Sequence, residues 1–286
     1  MTQRIELNHG AARCLVLPQL GGSLGGWWIA GRAMLRPAAE AAIASGDPTR
    51  LSGFPLVPFS NRIADARFDW RGRNVELKPN RADEPQALHG VGWQRPWQIV
   101  GQSHSTAVLR LDHVGDAFWP WPFWAEERIR LDADKLIIRL SATNLANEPV
   151  PLAIGHHPYF PRSKASLTLQ AVAVWLADAR NLPATAVIPD AQFDLSDGLA
   201  VSGRELDNCY TGVSWPARID WPDHALTIAC SPELPCAVVY ANSAADALCI
   251  EPVAHLSNAL NLTHAAMPVI APGEAFAAQI VLSIVN

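Results

Sequence analysis

Glu127-Arg128-Ile129-Arg130-Leu131-Asp132-Ala133-Asp134-Lys135-Leu136-Ile137-Ile138-Arg139-Leu140 decides the fold class. Polar and apolar residues alternate over 127–131, turn residues follow at Asp132-Ala133-Asp134, and a second run returns over 136–140. A period of two sends successive side chains to opposite faces, which makes this a half-buried antiparallel hairpin. The same texture continues outward in both directions. Residues 13–17, 106–111, 166–169, 172–176, 226–228, 237–240, 248–250 and 276–284 read as strands. Phe68-Asp69-Trp70 and Asn74-Val75-Glu76-Leu77 flank Arg71-Gly72-Arg73, a three-residue hairpin loop. Gly21-Gly22 through Gly25-Gly26 reads as a loop into Trp27-Trp28-Ile29, without the strand-to-helix context of a phosphate-binding loop. The Ala-rich piece 37–46 is either a helical turn or an irregular loop. No segment keeps a helical period over three turns, and the 23 prolines rule out long helices. Strands without intervening helices imply a sandwich or barrel. The chain is therefore read as all-β, a single domain over residues 1–286.

Composition narrows the function classes. Hydrophobic residues make up 49% and charged residues 17% of the 286, which is a globular balance. A net charge of −5 with no Lys/Arg run excludes a nucleic-acid or anionic-membrane surface. The start, Met1 to Glu6, has no apolar leader, and no uncharged apolar stretch reaches the ~18 residues of a membrane span. A soluble cytoplasmic protein is expected. The five cysteines form no Cys-x-x-Cys pair and read as reduced, mostly buried side chains. Tryptophan is abundant, 11 against 3 Tyr, which suits both core filling and stacking on sugar rings.

Five polar features are held by Pro, Gly or strand neighbours. In Pro58-Phe59-Ser60-Asn61-Arg62-Ile63, the Arg62 fork can meet hydroxyls or pair with Asp65 or Asp69. Leu88-His89-Gly90 carries a lone histidine, with Trp93 and Trp97 close behind. Gly155-His156-His157-Pro158-Tyr159-Phe160 sends its two imidazoles to opposite faces if extended, and Pro158 favours that extension. It has no His-x-His or His-x-x-x-His spacing, so no metal site is read there. In Glu205-Leu206-Asp207-Asn208-Cys209-Tyr210, Asp207 is either a ligand acceptor or a turn cap. In Cys249-Ile250-Glu251-Pro252, a carboxylate ends an apolar strand, where desolvation can raise its pKa toward base duty.

Taken in order, these landmarks resemble the aldose 1-epimerase (galactose mutarotase-like) family. The resemblance runs from Pro58-x-x-Asn61-Arg62-Ile63 through Leu88-His89-Gly90 and Gly155-His156-His157-Pro158-Tyr159-Phe160. It continues in Leu206-Asp207-x-x-Tyr210 and closes with Ile250-Glu251-Pro252 and Asn258-Ala259-Leu260-Asn261. It implies a large antiparallel β-sandwich with an open sugar cleft and no metal or organic cofactor. The partner it implies is a small sugar, with neither nucleic acid nor membrane, and the chain is a monomer or homodimer. By position, His157 looks like the acid and Glu251 the base of sugar ring opening. Arg62, His89, Asp207 and Asn61 look like partners for sugar hydroxyls, and the aromatic after the proline, Tyr159 or Phe160, like a wall of the site. The Glu251 charge is expected to keep His157 protonated near neutral pH.

The motif departs from the family in His156, for which this reading finds no role. Trp119 to Trp124 is an added aromatic stretch, either core packing or a cleft wall. Three rival readings stand beside the mutarotase. A hexose-6-phosphate 1-epimerase needs an arginine cluster, for which Arg62, Arg67, Arg71, Arg73, Arg81 and Arg95 are available. A glycoside hydrolase would pair Glu251 with Asp207. A non-catalytic sugar-binding protein would keep the cleft without turnover.

Overall fold

In the computed structural model, which describes residues 3–190 and 192–285, the alternating hairpin forms as read. Phe123–Leu131 pairs antiparallel with Lys135–Asn144, from Phe123↔Asn144 to Leu131↔Leu136. Ile129 and Leu131 point into the core, and Arg128 and Arg130, which alternate with them, are exposed. The same parity carries Glu127 inward, where it is fully buried.

This hairpin lies in a nine-stranded antiparallel sheet that packs on an eleven-stranded one, counted among the described residues. Their shared core combines Val16, Trp27, Phe160 and Ile250 from the larger sheet with Ile129, Leu136, Leu140 and Ile280 from the smaller. The chain is all-β: helix is confined to Glu40–Ser45 and four short 3-10 turns among the described residues. None of these is long and apolar enough to cross a membrane.

The middle of the larger sheet brings together strands far apart in sequence. Its order there is Ser23–Ile29, Gly53–Leu56, Gly155–Phe160, Ala247–Val253, Cys236–Asn242 and Leu206–Thr211. These strands have apolar cover on both sides. One face meets the second sheet, and on the other Phe54, Leu56, Trp93, Tyr159, Cys209, Val238, Cys249 and Val253 form a separate cluster. All six residues of Gly155–Phe160 are buried as a result. A strand covered on both faces has no polar half, so it shows no period-two signal.

Several local expectations change. Gly25 and Gly26 belong to the strand Ser23–Ile29, because the Leu15 and Trp28 side chains lie over them where a Cβ would sit. The loop after Trp70 has two residues, not three: Trp70 pairs with Arg73, and Arg71 and Gly72 both take positive φ, 55° and 76°. That is the type I′ geometry that matches strand twist. The Ala-rich segment resolves as the helix Glu40–Ser45, closed by Gly46 in the left-handed conformation. Trp119 and Trp121 pack against Phe59, Phe68 and Trp70. No residue of 119–124 lines the main cleft, so this stretch is core packing.

Gly90 shows how tightly the loops over the larger sheet are fitted. Its φ is +69°, and a Cβ there would sit 2.2 Å from the Val57 carbonyl oxygen. Gly10 has a similar φ of +58° but open space around it. Gly10→Ala should cost about 1 kcal/mol from backbone strain alone, and Gly90→Ala well above that because backbone must also move. Urea midpoints of the two variants measure the difference, and equal losses would mean that the Val57 contact is soft.

Candidate active site

Residues 59–64 lie over the larger sheet and are fastened by the segment just beyond the Ala247–Val253 strand. The Ser60 amide donates to His255 Nε2 at 3.1 Å, and His255 Nδ1 lies 2.8 Å from the Leu256 carbonyl. This fixes the tautomer with the proton on Nδ1. Ser257 Oγ donates to Asn61 Oδ1 at 3.0 Å, the Asn258 amide donates to the Arg62 carbonyl at 2.8 Å, and Asn258 Oδ1 accepts from the Ala64 amide at 3.0 Å. On the other side, the Asn61 amide donates to His89 Nδ1 at 3.1 Å, and the His89 amide returns a bond to the Asn61 carbonyl at 2.8 Å. His89 Nε2 is thereby left as a donor. Asn61 and His89 both hold positive φ, 55° and 56°, so reciprocal bonds secure a backbone geometry that is otherwise unfavourable.

The pairs Gly155↔Val253 and Tyr159↔Cys249 place His157 directly across from Glu251. His157 Nε2 stands 3.2 Å from Glu251 Oε1, with both side chains under one tenth exposed. The imidazole packs between Phe54 and Tyr159, each 4.7 Å away by ring centroids, and His89 meets it edge-on at 5.3 Å. The Arg36 guanidinium lies over the far ring, 4.1 Å from the Tyr159 centroid. His157 Nδ1 and Glu251 Oε2 are buried without a partner among the described residues.

Arg62 grips Glu84 with both edges of its fork, Nε to Oε2 at 3.0 Å and Nη2 to Oε1 at 3.1 Å. Its Nη1 lies 3.9 Å from Asp207 Oδ2. The expected partners Asp65 and Asp69 are not used: Asp65 pairs with Arg180 and Asp69 caps its own turn.

All seven residues singled out from the sequence, Asn61, Arg62, His89, His157, Tyr159, Asp207 and Glu251, line one cleft of about 920 Å³. Among the described residues, no group of three or more His, Cys, Asp or Glu side chains is arranged to hold a metal ion.

Comparison with known proteins matches this geometry to a family. The family model described as aldose 1-epimerase matches residues 3–283. The chain belongs to the aldose 1-epimerase family. It is 31% identical over 261 residues to the uncharacterized protein YphB of Escherichia coli (strain K12), covering 87% of each chain. It is also 31% identical to the aldose 1-epimerase of the same strain, over 119 residues that cover 40% of this chain and 33% of that one. A solved Escherichia coli K12 structure, provisionally named an aldose 1-epimerase, superposes with a TM-score of 0.92 at 29% identity over 100% of this chain and 99% of that one. A galactose mutarotase-like protein from Clostridium acetobutylicum shares the fold, with a TM-score of 0.87 at 20% identity over 100% and 96%.

In this aldose 1-epimerase family member, electrostatics departs from the sequence expectation. A charged resting imidazole is not what burial allows. Burial lowers the His157 pKa to about 3, with the neighbouring His156 charge acting in the same direction. Burial, and then the charge of Asp207, pushes Glu251 well above the carboxylate range, while Arg62 opposes. Desolvation of both charges outweighs their attraction at this depth. Both shifts favour a neutral imidazole beside a protonated carboxyl over an ion pair. Asp207 is raised as well, by burial first and Glu84 last, with Arg62 opposing.

The six arginines that could have cradled a phosphate do not converge. Only Arg62 and Arg81 line the cleft, and each is paired, to Glu84 and Asp83. Arg73 and Arg95 are tied to Glu148 and Asp116, and like Arg67 and Arg71 they do not line it. Sequence reasoning missed Arg36, Glu84 and His255. Glu84 had a signal in its setting, Asp83-Glu84-Pro85. His255 had none, because its partner is a backbone amide 195 residues away.

His255 links the site to stability. Burial lowers its pKa to about 4, below the ~6.5 of an unfolded histidine, so the unfolded chain takes up the extra proton first. Its contribution to stability is complete above about pH 6.5 and is lost as pH falls toward 4. His255→Gln keeps an acceptor for Ser60 but removes the titration. It should flatten the pH dependence of unfolding free energy by roughly 1.4 kcal/mol per pH unit across that window. Urea titrations at stepped pH check this, and an unchanged slope would show that His255 is solvated.

Proposed function

We propose that the protein is an aldose 1-epimerase, interconverting the α and β anomers of a hexose or related aldose through His157 and Glu251. The observation that carries the reading is their direct cross-strand contact at 3.2 Å, with a further polar atom of each left unpartnered. Ring opening removes a proton from the C1 hydroxyl and delivers one to the ring oxygen, two atoms on the same carbon. A carboxylate and an imidazolium side by side can serve both.

The resting neutral pair and the reactive ion pair differ only in the position of one proton, which can cross the short gap between Nε2 and Oε1. Sugar hydroxyls and the Arg62 guanidinium favour the ionic arrangement, since Arg62 already opposes the protonation of Glu251. Glu251 then accepts the C1 hydroxyl proton while His157 protonates the ring oxygen. Rotation about C1–C2 exposes the other carbonyl face, and the same groups reverse their roles. His89 Nε2–H and Arg62 Nη1 supply donors and Asp207 an acceptor for the remaining hydroxyls. Arg36, stacked on Tyr159, stiffens the wall beside the imidazole. Of the four arginines that line the cleft, Arg62 and Arg81 are paired to carboxylates and, among the described residues, Arg36 and Arg50 are not, so a hexose 6-phosphate stands beside an uncharged sugar as a substrate to be tested.

Proton-exchange NMR or polarimetry on freshly dissolved α-glucose and α-galactose tests the reading. Catalytic amounts should speed anomerisation, and His157→Ala and Glu251→Gln should each remove about 10²–10⁴-fold of kcat. Anomerisation of every tested aldose at its spontaneous rate would end the proposal, and release of reducing sugar from a glycoside would favour a hydrolase. The pH profile is a second test. The pair keeps one proton from about pH 3, where His157 takes a second, up to the raised pKa of Glu251. The acid limb of kcat/KM should therefore show no inflection at the ordinary imidazole value of about 6.5. A midpoint there would place His157 in solvent.

A further inference from the structure

The backbone around His157 has few donors. Pro158 follows it, Pro252 follows Glu251, and Pro55 stands opposite His156 on the neighbouring strand. None of these has an N–H. Pairing between Gly155–Phe160 and Ala247–Val253 holds at Gly155↔Val253 and resumes at Tyr159↔Cys249, with none between. Pairing on that side is thus missing where the proposed acid and base face each other, while the other side pairs without a break from Gly155↔Leu56 to Pro158↔Gly53.

On the opposite face of the strand, His156 enters the sandwich interior. Its Nε2 lies 3.5 Å from Glu127 Oε1 of the second sheet, and the side chains are 1% and 0% exposed. None of the side-chain polar atoms of either residue, the facing Nε2 and Oε1 included, makes a hydrogen bond among the described residues, so each is the other's nearest polar contact. Both are given room by glycine. A Cβ at Gly53 would sit 3.0 Å from His156 Cε1, and one at Gly22 would sit 3.2 Å from Glu127 Oε2. Trp97 closes the Gly22 side, and Cys14 is the titratable side chain whose ionisation Glu127 further disfavours. Burial raises the Glu127 pKa, with His156 opposing. A buried pair of this kind adds little net stability, because apolar residues of like size replace such pairs at no loss. Stability alone does not account for it.

We propose that the His156–Glu127 pair is a positioning device that ties the inner face of Gly155–Phe160 to the opposite sheet and so holds His157 against Glu251. The pair touches no substrate and works through the strand. This rests on the assignment of His157 and Glu251 given above. It makes His156, one residue from the acid, a side-chain tether to the second sheet, added to the backbone ladder that residues 155–158 keep with Gly53–Leu56 on one side only.

The test is the double variant His156→Leu/Glu127→Met together with the isosteric Glu127→Gln. The double variant should keep or raise Tm. It should still lose at least about tenfold in kcat, because small misplacements of reacting groups are expensive, while KM stays within about threefold. Ring 15N resonances of His157, read without substrate, should move toward those of a free imidazole as the Glu251 contact loosens. If the double variant does not fold, Glu127→Gln is held to the same kcat, KM and ring-resonance readouts. Wild-type kcat with unchanged His157 resonances overturns the proposal, as does a kcat loss that only follows the folded fraction. If the parent protein anomerises no sugar, the function proposed above fails, and the ring resonances still decide this one.

Discussion

Everything around the site depends on the two-residue period of one strand. Gly155–Phe160 is buried on both faces, and its alternation separates side chains into two compartments. His157 and Tyr159 face the cleft, while His156 and Phe160 face the second sheet. A shift of register by one residue would exchange these sets. It would put the imidazole that meets Glu251 into the sandwich core and bring the Glu127 partner out to the cleft. The contacts on each face therefore protect the assignment on the other.

The second constraint is covalent distance. Arg62 and His89, His157, Asp207 and Glu251 come from four separate parts of the chain. They converge because the middle strands of the larger sheet are neighbours in space without being neighbours in sequence. The loop over them is held by hydrogen bonds that run mostly from side chain to backbone. Asn80 is a compact instance: its amide accepts from the Leu88 N–H at 2.8 Å and donates to the carbonyls of Leu88 and Gly90 at 2.6 and 2.9 Å. One side chain does there what a strand edge does elsewhere.

How far the sequence could be read follows from where water reaches. The hairpin 127–140 was legible because one of its faces is wet, so Arg128 and Arg130 mark the outside and Ile129 and Leu131 the inside. The central strands lack that contrast, and Gly53–Leu56 passed without notice. The cleft residues were legible as short motifs pinned by Pro, Gly or strand neighbours, and all seven line one cavity. Their charge states were not. The Glu251 charge was expected to keep His157 protonated, yet depth of burial, which no local pattern encodes, reverses that balance. Glu127 was hidden for a related reason. Its type suggested the wet face and its parity the dry one, and parity was the better guide.

Under the proposed function, the three prolines beside the site also shape how a sugar is met. With Pro158, Pro252 and Pro55 in place, the strands around the anomeric centre offer few free amides to a ligand. Recognition near C1 falls to side chains, each carried on a backbone whose own pairing lies elsewhere. Under that function, a change of preferred sugar can be made by exchanging side chains such as Asp207 or Tyr240 on the cleft wall, with the sheet beneath left as it is. The cleft's chemistry can thus change while the fold that carries it does not.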